Sequence, residues 1–115
     1  HHMVDLHQYT ELIQTLVAEA NEGDPNWKWS VKSVGKTKAR IFWSYLEYCG
    51  QPEPYFVIEL EDTGDGYWIH ALDERDSYIE SEIVVDNDLP FLNTPLAEAI
   101  KKMIRCIVRT AHSCY

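Results

Sequence analysis

Apolar positions in this chain follow one period at its two ends and another in between. Leu6, Tyr9, Ile13, Leu16, Val17 and Ala20 recur at steps of three and four, with Glu11, Gln14, Glu19 and Glu22 filling the other face. That spacing predicts an amphipathic helix over 5–21, stopped by Gly23 and Pro25. Towards the other end Thr94 suits an N-cap and Pro95 the first helical position, where no intrahelical N–H is needed. Leu96, Ile100, Met103, Ile104, Ile107, Val108 and Ala111 then make one stripe of a second helix, and Lys101, Lys102, Arg105 and Arg109 the opposite one.

Between these helices the period falls to two. Trp27, Trp29 and Val31 alternate with Lys28 and Lys32, residues 38–48 are rich in β-branched and aromatic types, and Phe56, Ile58 and Leu60 alternate with Val57, Glu59 and Glu61. Further strands are predicted at 66–72 and 78–85, with turn residues at Gly35 to Thr37, Gly50 to Pro54, Asp62 to Gly66 and Asp73 to Ser77. The pattern predicts an α+β fold: a five-stranded, mostly antiparallel sheet meander flanked by an N-terminal and a C-terminal helix, both on one face.

Strand parity then assigns side chains to faces. With Phe56, Ile58 and Leu60 inward, Glu59 and Glu61 point out; with Ile79, Ile83 and Val85 inward, Glu80 and Glu82 point out too. The four glutamates are thus expected on one face, about 10 Å apart across the strand that contains Trp68. His70, flanked by Trp68 and Leu72, is expected on the core side as a buried, hydrogen-bonded histidine.

Charge sharpens this picture. Trp27 to Leu46 holds five cations and no acid; Glu47 to Asp88 holds thirteen acids and the single cation Arg75; the last seventeen residues are basic again. Inside a chain of net charge −9, such sorting places like charges together and calls for cationic compensation. Its 45% hydrophobic and 12% aromatic content separates it from acidic disordered tails, which lack the apolar surface to offset chain entropy. The length suits one core, so residues 4–115 are read as a single domain, with His1 to Met3 a tag remnant and start methionine.

Acidic turns are the candidate chemistry. Asp62-Thr63-Gly64-Asp65-Gly66, with Glu61 at its base, offers carboxylates and carbonyls on a bend that glycine lets close. Asp73-Glu74-Arg75-Asp76 and Asp86-Asn87-Asp88 are similar. Ca2+ takes six to eight oxygens in flexible geometry, which makes Glu61, Asp62, Asp65, Asp73, Asp76, Asp86 and Asp88 the candidate Ca2+ ligands. The ligand spacing of an EF-hand loop is absent.

Other classes recede. There is no GxSxG, HExxH or phosphate-binding glycine loop, so the reading is non-catalytic. Net negative charge opposes nucleic acid despite the basic stripe of the last helix. Cys49, Cys106 and Cys114 have neither disulfide nor zinc spacing, and no apolar run reaches a membrane span, which together suggest a cytoplasmic location.

In size, in charge layout and in the acidic runs Glu59 to Gly66 and Asp73 to Asp76, the chain resembles the EF-hand-less calcium-binding protein of filamentous cyanobacteria. That resemblance implies calcium buffering or signalling without catalysis. The alternative is an acidic inhibitor or immunity protein that docks a basic protein through Glu59, Glu80 and Glu82.

Overall fold

The computed structural model describes residues 6–23, 27–46, 52–64, 66–85 and 95–114. A single 3₁₀ turn, Leu6–Tyr9, leads into helix α1, Thr10–Asn21. Five strands follow: β1 Trp27–Val34, β2 Lys38–Leu46, β3 Pro52–Asp62, β4 Gly66–Leu72 and β5 Tyr78–Val85; helix α2, Pro95–Cys114, closes the order. The strands form one sheet in sequence order, β1-β2-β3-β4-β5, and every neighbouring pair is antiparallel. This is the α+β meander that the change of period predicts. One detail differs, in that β3 begins at Pro52, inside the stretch expected to turn; the expected Thr94 cap lies outside the described residues.

Both helices cover one face of the sheet. Leu12, Ile13, Leu16 and Val17 of α1 and Leu96, Ile100, Met103 and Ile107 of α2 share a buried cluster with Trp29, Ile41, Trp43, Ile58, Leu60, Ile69 and Val84 of the strands. Tyr9 meets Tyr67 edge to face at 5.6 Å, joining the N-terminal turn to the middle of the sheet. At the β1 side Trp27 and Trp29 both stack on Trp43, at 4.1 and 5.5 Å. Asn21, at the end of α1, pairs with the β1 edge as a peptide would: its Oδ1 accepts the Trp29 N–H at 2.6 Å and its Nδ2 donates to the Trp29 carbonyl at 3.0 Å. The helix is thereby tied to backbone groups of an edge strand that would otherwise rely on water.

Register corrects the face assignment of β5. Glu82 lies opposite Ile69 and Glu80 opposite Ala71, both core residues, and directly paired residues share a face. Glu80 and Glu82 therefore sit on the helix side, where Glu82 meets Lys102 of α2 at 3.8 Å. Val84 is buried in their row, while Ile83 is 71% exposed on the far side. The cause is a bulge: between the pairs Ala71 with Glu80 and Leu72 with Tyr78, residue Ile79 is extra, so Tyr78 and Glu80 point to opposite faces.

This face assignment yields a contrast between two isoleucines. Ile58→Ala, in the core, should cost about 2–5 kcal/mol of stability. Ile83→Ala should stay within about 0.5 kcal/mol. Urea denaturation of the two variants measures both.

Candidate functional site

The helix-free face of the sheet carries the titratable cluster. Hairpin β3–β4 is closed by a tight turn in which Thr63 N–H donates to the Gly66 carbonyl at 3.0 Å and Gly64 N–H donates to Asp62 Oδ1 at 2.7 Å. Gly64 takes a φ of +96°, a conformation glycine adopts without a Cβ penalty. This turn fixes the register beyond it, so that Glu59 faces His70 and Glu61 faces Trp68. On the other side β2 places Arg40 opposite Glu59 and Lys38 opposite Glu61. One row thus reads Arg40, Glu59, His70, Ser81 and the next Lys38, Glu61, Trp68, Ile83.

His70 is 1% exposed, and the expectation of a buried histidine holds. Its side is corrected: Tyr67, Ile69 and Ala71 occupy the core face of β4, and Trp68, His70 and Leu72 the opposite one. What buries the ring there is aromatic. Tyr78 stacks on it at 4.9 Å with planes 11° apart, and Trp68 meets it edge to face at 4.5 Å. Trp68 is held in turn by its indole N–H, which donates to Ser81 Oγ at 2.5 Å.

Polar contacts converge on Glu59. Its Oε1 lies 3.1 Å from His70 Nε2, within hydrogen-bond distance, and its Oε2 lies 3.3 Å from Arg40 Nε. The Arg40 contact is a charge pair without an aligned hydrogen bond, and the guanidinium also lies over the Phe42 ring at 5.3 Å. Glu61 has the looser Lys38 at 3.9 Å. Ligand atoms of Glu59, Glu61 and His70 all fall within 4.8 Å of one another. His70 Nδ1 is buried with no hydrogen-bond partner among the described residues.

The comparisons add nothing to the geometry. No family model, curated protein or solved structure matches the chain.

The sequence-predicted ligands are distributed as follows. Asp62 sits at the β3–β4 turn with Glu61 beside it, whereas Asp73 and Asp76 sit at the β4–β5 turn, at the opposite end of the seven-residue strand β4 and hence about 20 Å away. The two turns cannot share an ion. Asp73 Oδ1 accepts the Arg75 N–H at 2.8 Å and the Ser77 N–H at 3.0 Å, while Asp76 adopts a φ of +61° that aspartate tolerates better than most residues. The Asp73 carboxylate is therefore employed in holding the turn. Asp65, Asp86 and Asp88 lie outside the described residues. Gly66 pairs with Val85, so β5 ends beside the β3–β4 turn that carries Asp62.

Two of the converging residues, Glu59 and His70, were not read from the sequence as metal ligands. A signal was available: Glu59 and His70 each lie three residues along their strands from Asp62 and Tyr67, the pair that closes the hairpin.

Removing the acceptor from this row should be costly. Glu59→Leu leaves His70 and Arg40 without their carboxylate and is expected to destabilise by about 1–3 kcal/mol. Glu19→Gln, on the exposed face of α1, should change stability by less than about 0.5 kcal/mol. Denaturant midpoints at constant m-value check the difference.

Proposed function

We propose that the protein is a non-catalytic Ca2+-binding regulator or buffer whose ion is held at the end of the sheet where Asp62 lies. The observation that carries this reading is the β3–β4 turn itself. A glycine-closed bend bears Glu61 and Asp62, and the end of β5 at Val85 lies beside it, paired with Gly66. Asp62 uses Oδ1 to close the turn, and its other carboxylate oxygen suits an irregular all-oxygen shell completed by carbonyls and water. The charge layout supports the same reading, because a divalent ion relieves repulsion among acids that the nearby Lys38 alone does not balance.

The three glutamates of the alternative reading, a basic protein docked on an acidic face, do not share one face of the sheet. Glu80 and Glu82 belong to the helix side, and Glu59 is engaged by Arg40 and His70. No observation favours it over the ion.

Calorimetric titration should show saturable Ca2+ binding that exceeds Mg2+ binding. Asp62→Asn with Asp65→Asn should weaken it more than Asp73→Asn with Asp76→Asn, since the latter pair lies at the far end of β4. Equal effects of the two pairs would remove the site from this end of the sheet.

Because an ion bound only by the native state adds RT ln(1 + [L]/Kd), about 2.7 kcal/mol at one hundred times Kd, Ca2+ should also raise the melting temperature. NaCl at matched ionic strength should reproduce only a part of that rise. If it reproduces all of it, Ca2+ is acting as a screening counterion.

A further inference from the structure

We propose that Glu59, Glu61 and His70 form a second cation site of a different chemical class, for a borderline divalent transition metal such as Zn2+ or Co2+. Three donors from two adjacent strands converge within 4.8 Å: one oxygen from each glutamate and an imidazole nitrogen. An imidazole suits Zn2+, Ni2+ or Co2+, whereas Ca2+ takes oxygen ligands. Three protein ligands leave a coordination position open to solvent, and the carboxylates, 22% and 35% exposed, give the ion a route in.

The histidine supplies the independent argument. The nitrogen that a metal would take, Nε2, is the one aimed into the cluster, 3.1 Å from Glu59 Oε1, on a ring that is 1% exposed; Nδ1 is unpartnered among the described residues with or without an ion at Nε2. The His70 ring is held between Tyr78 and Trp68, which presents Nε2 to Glu59 with little freedom to rotate away. The metal replaces the proton on Nε2 and the ring proton moves to Nδ1. Arg40 keeps Glu59 Oε2 and orients the carboxylate from outside the coordination shell, while Oε1 turns to the ion.

Lys38 is the competitor for this site. Its ammonium lies 3.9 Å from Glu61 on a mostly exposed side chain, and it must swing aside when the metal binds. The site overlaps the proposed Ca2+ turn at Glu61, but it needs His70 and Glu59 and does not need Asp62 or Asp65.

The test is a Co2+ titration of the full chain, followed by visible absorption and by quenching of tryptophan emission. His70→Gln should lose the tightest component, and Glu61→Gln, on a partly exposed side chain that the fold does not require, should weaken it by about tenfold or more. Lys38→Gln should strengthen it by about two- to fivefold, since it frees Glu61. Trp68→Phe should reduce the quenching while leaving the absorption titration in place, because the Trp68 ring lies against His70. Asp62→Asn with Asp65→Asn should leave Co2+ binding unchanged whether or not they abolish Ca2+ binding, which separates the two sites. His1, His2, His7 and His112 are retained in every variant, so any binding they contribute cancels in the comparison. The proposal is overturned if Glu61→Gln and His70→Gln, each folded by circular dichroism, bind Co2+ as the unmodified chain does, or if Lys38→Gln weakens binding.

Discussion

The register between β2, β3 and β4 is the constraint from which the other features follow. Once Glu59 stands opposite both Arg40 and His70, the basic stretch of the chain and its acidic stretch become neighbours in the sheet, and their charges meet across strands. A sequence that looks poorly balanced when read linearly is thus balanced in part by its topology. Lys102 of α2 repeats the device on the other face, where it reaches Glu82.

Two faces with opposite characters result. The helix side buries a continuous apolar cluster and carries most of the hydrophobic stabilisation. The other side is an open face on which Val57 and Leu72 are buried, yet belong outside that cluster, and on which the aromatic rings of Trp68 and Tyr78 shield a polar row. Shielding of this kind strengthens the Glu59 to His70 interaction, because a contact withdrawn from water acts through a lower local dielectric. The same shielding penalises the unpaired Nδ1.

Much of the fold was legible because its periodic signals are long or unambiguous. The helices carry apolar residues at helical spacing along their length, and β3 alternates strictly from Phe56 to Leu60, so its faces were assigned correctly. β4 was not: Tyr67, Trp68, Ile69, His70, Ala71 and Leu72 present no polar row, so parity cannot choose which set meets the helices. β5 misled for another reason, since Ile83, Val84 and Val85 run together and the bulge at Ile79 reverses the alternation. A bulge answers to tertiary pairing and leaves no local periodic trace. The acidic turns were located in sequence, but their separation by the length of β4 emerges only once the hairpins are built.

The bulge in β5 has a counterpart at the other margin of the sheet, where the register slips between Val31 and Ser33 and leaves Lys32 extra in β1. Each outermost strand therefore carries an irregularity, and each carries charge close to it: lysines along β1, and Glu80 and Glu82 on the inward side of β5. A flat outer strand offers a template onto which another molecule's strand can zip, and the run Ile83-Val84-Val85 would be an adhesive one. Kinked backbone and inward carboxylates spoil that template. The residue that reverses the alternation thus also makes this margin a poorer template for an added strand.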